Sequence, residues 1–433
     1  MISRRVFLRS AAFAAAGFAQ PTTACADELP ATGPADPKLA PFDQLMTSFL
    51  KEHHVPGGSL AVARHGKLVY ARGFGFADAA TNRPVEPVSL FRIASVSKPL
   101  TAVAVLQLVD RKKVTLDDPV LKYVRLRPHL EKGTERDPRW DKITVRHCLH
   151  HTGGWDRDKS FDPIGIPWKI ADALKIQPPV APEDVVRYMM GQPLDFDPGA
   201  RFAYSNLGYL LLGRVIETAS GESYESYVRT HVLAPLGVTR TRLGRALPEN
   251  RAEGEVHYHD AKKATGRCLY PPRRGERVPF PDGAANFEGY EAHGGWIASA
   301  VDLVRFASAF DQPKRCPVLS ETGIRTMWER SEGNVDRKAN GKPRAAYYGC
   351  GWNVRQEGSG GATNTWHSGL INGTSSLLVR RLDGLNWVVL FNTDRNPGGK
   401  VLATVIDPLV HEAADEVKVW PDVNLSDRFG EGN

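Results

Sequence analysis

Apolar residues return along the chain at two spacings, and each spacing predicts a type of local structure. In the segment 41–53 they recur every three or four residues, as on the buried face of an amphipathic helix. The segments 59–63 and 68–73 are short apolar runs separated by Arg64-His65-Gly66-Lys67, which is typical of a β-hairpin. The pattern therefore predicts a helix followed by two paired strands.

The middle of the chain is predicted to be helical. Apolar runs of helical length lie at 100–109, 207–216 and 301–310. Ser299, three residues before Asp302, resembles a capping box at the start of the last run, because each side chain can bond the other residue's backbone N–H.

Strand patterns return towards the C-terminus. The segments 375–381 and 386–392 are apolar and flank Asp383-Gly384, a strong hairpin signal, and a helix is predicted from about 400 to 417. Strands therefore lie at both ends and helices between them. This order predicts an α+β fold, in which an antiparallel sheet built from both ends is flanked by terminal helices and carries an inserted helical subdomain.

The same patterns predict the domain boundaries. One folded domain covers 27–415, with a sheet subdomain at about 38–83 and 291–415, a helical subdomain at about 84–290, and a tail at 416–433. Three long segments are interpreted as loops, of the kind that often carries substrate specificity. They are 127–141, 156–179 and 245–289.

Residues 1–26 have the composition of an export signal. Arg4-Arg5 stands before the alanine-rich apolar run 10–19, and Ala24-Cys25-Ala26 offers a small-residue cleavage site. The paired arginines resemble a twin-arginine signal. The prediction is a periplasmic or secreted protein with no stable membrane anchor. A disordered basic tail and lipidation of Cys25 are the alternatives.

Charge gives no indication of a nucleic-acid partner. The chain has 56 basic and 49 acidic residues, and removal of the signal with its three arginines leaves a net charge of +4 over about 400 residues.

Four cysteines remain after the signal, and they either form disulfides, with three possible pairings, or stay as buried free thiols. They are Cys148, Cys268, Cys316 and Cys350.

Ser95 and Lys98 are candidates for nucleophile and base. Residues three apart on a helix share a face, so a neutral lysine amine can take the proton of the serine hydroxyl. Pro99 places the pair in the first turn of a helix. The same S-x-x-K spacing occurs at Ser48 and Lys51, near the end of the first predicted helix, where it is interpreted as helix surface. A plain N-cap serine is the alternative for Ser95.

Two further motifs add to this pair. Tyr204 and Asn206 form the one Y-x-N of the chain and would face the same cleft, the phenol relaying a proton and the amide holding a substrate carbonyl. H-x-G occurs at His151, His293 and His367, and His367 is preferred because it lies beside the final hairpin. A packed tyrosine with Asn206 as a helix N-cap is the alternative for the first motif, and a histidine held by structural hydrogen bonds is the alternative for the second.

Taken in order, these motifs resemble the serine β-lactamase and penicillin-binding protein superfamily. The branch they resemble contains class C β-lactamases, D-alanyl-D-alanine carboxypeptidases, D-aminopeptidases and esterases, and the likeness extends over segments such as 73–78, 144–154 and 348–352. The resemblance implies a β-lactamase/transpeptidase-like fold and an acyl-enzyme on the serine nucleophile. It implies no cofactor.

The resemblance also implies roles for single residues. Ser95 would attack a carbonyl, Lys98 and Tyr204 would move protons, and Asn206 would hold the substrate amide. The backbone N–H groups of Ser95 and Leu370 would form the oxyanion hole. The substrate-binding strand would further include His367, Ser368 and Gly369.

The third motif departs from the β-lactamases of this branch, which usually have Lys-Thr-Gly where this chain has His367-Ser368-Gly369. The missing permanent charge argues against efficient cephalosporin hydrolysis. The prediction is therefore an exported serine hydrolase of small esters, amides or D-residue peptides. A true β-lactamase and a penicillin-binding envelope protein with little turnover are the alternatives.

A zinc enzyme is the competing class of catalyst. Five histidines have spacings at which imidazoles can meet, although no H-E-x-x-H motif accompanies them, and no metal site is predicted. They are His147, His150, His151, His257 and His259.

Overall fold

The computed structural model describes residues 29–331, 335, 341–357 and 362–429. The predicted signal peptide, residues 1–26, lies outside them. None of the described helices is both long enough and apolar enough to cross a lipid bilayer.

A large antiparallel sheet organises the fold. The strands of the described chain are β1 (Ala31–Thr32), β2 (Gly57–Arg64), β3 (Lys67–Asp78), β4 (Arg83–Pro84), β5 (Phe91–Arg92), β6 (Arg242–Leu243), β7 (Thr265–Arg267), β8 (Arg277–Pro279), β9 (Trp296–Ala298), β10 (Ala346–Tyr348), β11 (Asn353–Glu357), β12 (Ala362–Ile371), β13 (Thr374–Arg380) and β14 (Leu385–Phe391). The order in the large sheet is β1-β3-β2-β14-β13-β12-β11-β10, with β4 paired to β3, while β5, β9 and β6 form a second sheet and β7 and β8 a third. Strand β2 pairs with β14 from Arg64–Leu385 to Gly58–Phe391. The predicted sheet, built from both ends of the chain, is confirmed.

Helices lie on both faces of this sheet and in a helical region beside it. The helices of the described chain are α1 (Ala40–Glu52), α2 (Ser97–Asp110), α3 (Val145–Leu149), α4 (Pro167–Leu174), α5 (Pro182–Met190), α6 (Asn206–Ser220), α7 (Tyr224–Tyr227), α8 (Glu291–Gly294), α9 (Ala300–Ser308), α10 (Glu321–Trp328) and α11 (Leu402–Glu416). The terminal helices α1 and α11 pack together on one face. On the other face α9 contacts β2 and β14, and the larger apolar core continues from there around α2 and α6.

Most predicted elements are confirmed, with ends shifted by a few residues. The capping box at the start of α9 is also confirmed, since Ser299 Oγ accepts a hydrogen bond from Asp302 N at 3.1 Å. The loop interpretation is wrong in part, because α4 lies within 156–179 and a β7–β8 hairpin lies within 245–289. Helix α4 begins at Pro167, whose missing N–H leaves no intrahelical bond unmade in a first turn.

The described cysteines are free thiols, so none of the three disulfide pairings is present among them.

The segment after α11 is not detached from the domain. Leu425 N donates to Leu68 O at 2.8 Å, and Asn424 Oδ1 accepts from Leu68 N at 3.2 Å. These bonds hold the C-terminal segment beside the start of β3.

Arg92 ties the segment before the candidate nucleophile to the far side of the helical region. Its side chain is buried and donates hydrogen bonds to three backbone carbonyls, those of Pro281, Arg245 and Ala246. The guanidinium also lies 4.3 Å from the ring centre of Tyr258. Nε has no hydrogen-bond partner among the described residues, but it lies 4.0 Å from the buried carboxylate of Glu255, whose opposite charge offsets part of the cost of burying the guanidinium.

Arg92→Ala is expected to lower the free energy of unfolding by about 3–5 kcal/mol, because it removes a buried charge from partners that stay buried. Urea denaturation followed by tryptophan fluorescence measures this change. Arg355→Ala is the control, since Arg355 is half exposed and pairs with Glu357 at the surface, where about 0–1 kcal/mol is expected. Equal losses in the two variants would contradict the assignment.

Candidate active site

The turn that carries Ser95 is held from both sides. A 3₁₀ turn, Ala94–Val96, leads directly into α2, so Ser95 lies at the start of a helix as predicted. Ala94 has a φ of 48°, a conformation that residues other than glycine seldom adopt. Ile93 supports the turn, since its N–H donates to Trp296 O at 3.0 Å and its carbonyl accepts from Ser376 Oγ at 2.8 Å.

Gly369 lets strand β12 approach this turn. A Cβ atom at this position would lie 2.2 Å from Ser376 Oγ and 2.3 Å from Ile93 O, closer than side-chain carbons are found. The sequence argument attributed the glycine to the approach of substrate. The structure gives a different reason, because the space that a side chain would fill is occupied by the turn before Ser95.

Lys98 is fully buried, and its amine has three polar neighbours. Nζ lies 3.1 Å from Ser95 Oγ, 2.9 Å from Asn206 Oδ1 and 2.9 Å from His293 O. Burial holds the pKa of Lys98 well below its ordinary value of 10.5, with Asp162 opposing and Arg157 reinforcing the shift. The amine is therefore uncharged over a wider pH range than that of an exposed lysine.

The three neighbours of Lys98 orient its lone pair. A carbonyl oxygen can only accept, so two N–H bonds of the neutral amine point to Asn206 Oδ1 and His293 O. The remaining tetrahedral direction faces Ser95 Oγ, whose proton the lone pair can then receive. This arrangement is that of a general base beside a nucleophile.

Tyr204 contacts the same hydroxyl from another direction. Its phenol donates to Ser95 Oγ at 2.8 Å, and the Lys98 amine lies 4.8 Å from its ring centre. Loss of contact with water raises the pKa of Tyr204, so the phenol keeps its proton at neutral pH. The environments of Lys98 and Tyr204 thus move the two pKa values apart, which suits one group to accept a proton and the other to donate one.

Asn206 is the first residue of α6 and Ser205 is the N-cap residue, so the interpretation of Asn206 as the N-cap is wrong. Its Nδ2 donates to Asp162 Oδ2 at 2.7 Å, while its Oδ1 faces Lys98. A carboxylate can only accept, so Asp162 determines which way the amide is turned. The second hydrogen of Nδ2 is left for another acceptor.

The third predicted motif lies on β12, where the strand runs past its neighbour. β11 pairs with β12 only as far as Trp366, so from His367 onward this edge has no strand beside it in the described chain. Leu370 is 37% exposed and Ser368 is also exposed. The open edge is where backbone N–H groups could meet a substrate.

The His367 ring lies beneath this edge and is buried. Nε2 is 2.9 Å from Tyr348 Oη and Nδ1 is 2.7 Å from Ser368 O, so both ring nitrogens have partners. Burial, with a further contribution from Lys98, lowers the pKa of His367 to about 3. The imidazole is therefore neutral at physiological pH, which agrees with the absence of a permanent charge noted from the sequence.

Three contributors to the site were not found from the sequence. His293 acts through its backbone carbonyl, which no side-chain pattern indicates, although its H-x-G motif was noted. Asp162 lies in a segment interpreted only as a specificity loop. Tyr348 belongs to a segment that carried the family resemblance but had no role assigned to it.

The second S-x-x-K pair lies where the sequence argument placed it. Ser48 and Lys51 are exposed on α1, away from the site.

The five histidines considered for zinc are distributed over different contacts, and no group of three or more potential ligands is gathered within the described residues. His147, for example, caps α3 by accepting from Thr144 N.

Known proteins resemble this chain in both sequence and fold. The esterase EstB of Burkholderia gladioli is 35% identical over 251 residues, which are 56% of this chain and 59% of the esterase. Penicillin-binding protein 4* of Bacillus subtilis (strain 168) is 28% identical over 345 residues, 78% of this chain and 68% of that protein. The match therefore spans less than two thirds of the length of EstB.

Solved structures share the architecture. The octameric penicillin-binding protein homologue from Pyrococcus abyssi superimposes with a TM-score of 0.62 at 25% identity, over 86% of this chain and 77% of that one. The family model described as Beta-lactamase matches residues 42–410, which include the turn of Ser95, the start of α6 and strand β12. The chain belongs to the Beta-lactamase family.

Proposed function

We propose that the protein is an exported serine hydrolase that forms an acyl-enzyme on Ser95 and cleaves small esters, amides or D-residue peptides. The observation that carries the proposal is the contact of Ser95 Oγ with both Lys98 Nζ, at 3.1 Å, and Tyr204 Oη, at 2.8 Å. A buried base and a protonated phenol on one hydroxyl are what acyl transfer requires.

In the first half of the reaction Ser95 Oγ bonds to the substrate carbonyl carbon as its proton passes to Lys98 Nζ. The N–H groups of Ser95 and Leu370 stabilise the negative charge that develops on the carbonyl oxygen. The bond to the leaving alcohol or amine then breaks, and Tyr204 Oη supplies the proton that the leaving group takes. Proton transfer from Lys98 restores the phenol.

In the second half, water attacks the acyl-enzyme and gives a proton to the same groups. The bond to Ser95 Oγ breaks, the carboxylic acid leaves, and Oγ regains its proton. Asn206 would hold the acyl-side carbonyl or amide through the hydrogen of Nδ2 that Asp162 leaves free. The cycle uses no cofactor and no metal ion.

The surroundings of Asn206 favour small acyl groups. A cavity of about 140 Å³ lies beside it, lined by apolar side chains such as Trp155, Phe161 and Met189 and also by the charged side chains of Arg157, Asp162 and Asp195. Pockets for drug-sized ligands are commonly about 300–1,000 Å³, so this one suits a short aliphatic or single-ring substituent. The neutral ring of His367 gives no fixed charge to a β-lactam carboxylate.

The proposed export rests on the composition of residues 1–26, which resembles a twin-arginine signal and would direct the enzyme to the periplasm or outside the cell. Lipidation of Cys25 would instead tether it to a membrane. Fusing these residues to a reporter, with and without Arg4→Lys and Arg5→Lys, separates twin-arginine export from other routes.

An active-site phosphonate is expected to add one adduct to the peptide that contains Ser95. Mass spectrometry of the protein treated with a fluorophosphonate detects it, and Ser95→Ala is expected to abolish both the adduct and ester hydrolysis. Ser48→Ala is the matched control, because Ser48 has the same spacing to a lysine on an exposed helix surface. Unchanged ester turnover in Ser95→Ala would refute the proposal.

Lys98→Arg is expected to lower kcat/KM by about 10²–10⁴-fold, because an arginine stays protonated and cannot accept the serine proton. In the unaltered enzyme kcat/KM should fall as the pH decreases through the lowered pKa of Lys98, where the amine gains a proton. A pH–rate profile measures the second effect. Lys51→Arg should leave both quantities unchanged, and full activity in Lys98→Arg would exclude Lys98 as the base.

A p-nitrophenyl ester of a short acid and a D-Ala-D-Ala peptide are expected to be hydrolysed faster than a chromogenic cephalosporin. The physical reason is the neutral, fully hydrogen-bonded ring of His367 where related β-lactamases have a lysine. Parallel measurement of kcat/KM for the three substrates gives the order. Much faster turnover of the cephalosporin would identify a β-lactamase, and a stable adduct without turnover of any of the three would identify a penicillin-binding module.

A further inference from the structure

His151 contacts the residues on both sides of Tyr204. Its backbone carbonyl accepts a hydrogen bond from Ala203 N at 2.9 Å, and its ring atom Nδ1 accepts one from Ser205 N at 3.2 Å. Between these two bonds the imidazole packs against the phenol ring of Tyr204, with the ring centres 4.3 Å apart. One residue thus fixes the backbone before the phenol, the backbone after it and the ring between.

The conformation of His151 is unusual and is held by its surroundings. The residue is 1% exposed and has a φ of 56°, in the left-handed region that few side chains adopt. Its ring also packs against Tyr209, at 5.1 Å between centres, and Tyr348, at 4.5 Å. Strained residues of this kind persist where neighbouring groups over-determine them, often at functional sites.

We propose that His151 is a positioning residue for Tyr204, holding the phenol at hydrogen-bond distance from Ser95 Oγ. This inference rests on the proposed function, in which Tyr204 protonates the leaving group. His151 touches neither Ser95 nor Lys98 directly among its described contacts, so it acts through the tyrosine. The imidazole must be neutral with its proton on Nε2, because Nδ1 accepts from a backbone N–H.

Burial is consistent with the neutral form of the ring. The pKa of His151 is well below the ordinary histidine value, chiefly through burial and secondarily through Lys98. The ring therefore stays uncharged and keeps Nδ1 available as an acceptor.

The two contacts of the side chain can be separated by substitution. His151→Asn keeps an acceptor, Oδ1, on the atom that corresponds to Cγ of the histidine, and asparagine tolerates a positive φ. His151→Phe keeps an aromatic ring against Tyr204 and removes the acceptor. His150→Phe is the matched control, since His150 is equally buried but contacts Tyr348 O and Cys350 Sγ instead.

The experiment compares kcat/KM for phenyl acetate and p-nitrophenyl acetate, together with the Tm of each variant. p-Nitrophenolate leaves without being protonated, whereas phenolate needs the proton of Tyr204 far more. His151→Phe is expected to lose about 10–100-fold on phenyl acetate and clearly less on p-nitrophenyl acetate, since small misplacements of a reacting group cost up to about 10²-fold. His151→Asn is expected to lose clearly less than His151→Phe on phenyl acetate, because it keeps the acceptor for Ser205 N and gives up only the ring contact with Tyr204.

Three results would overturn the inference. An equal loss on both esters in His151→Phe would show a structural role without a specific effect on the phenol. A loss in His151→Asn as large as in His151→Phe, or a selective loss of phenyl acetate turnover in His150→Phe, would exclude the Ser205 contact as the cause. Absence of fluorophosphonate labelling at Ser95 in the unaltered protein would refute the proposed function itself, and with it the role assigned to His151.

Discussion

The site depends on keeping one lysine amine buried and uncharged. Removing an ammonium group from water costs several kcal/mol, so burial lowers the pKa of Lys98 and its N–H groups need acceptors. The acceptors come from distant parts of the chain, the start of α6 through Asn206 and the α8 carbonyl of His293. Displacement of either would leave buried polar atoms unpaired. The lysine therefore fixes the positions of these helices relative to Ser95.

The sheet enters the site through one close contact. Strand β12 can lie against the turn of Ser95 because Gly369 has no side chain, and β13 bonds the same turn through Ser376 and Ile93. Both strands belong to the sheet that β14 joins to the N-terminal hairpin. The nucleophile is consequently held between a rigid sheet edge and the buried start of α2. A reacting group fixed in this way needs little reorganisation when charge develops.

Sequence patterns predicted the parts of this arrangement that are periodic or local. The hairpin of β2 and β3, the helix after Ser95 and the pairing of sheet strands from both chain ends follow from spacing and turn chemistry. Contacts made by backbone carbonyls and loop side chains carry no periodic signal. The His293 carbonyl and the Asp162 carboxylate were therefore missed, and so was α4, because a helix of 8 residues gives its apolar spacing little room to repeat.

Burial is the main cause of the lowered pKa of both His367 and Lys98. At Lys98, the nearby charges of Asp162 and Arg157 act in opposite directions. These two side chains face each other at 3.6 Å, so their effects at the amine partly cancel. The lowered pKa of Lys98 therefore does not depend on a positive charge at His367. What the base requires is exclusion of water, which the packed rings of Tyr204, Tyr209 and Tyr348 provide.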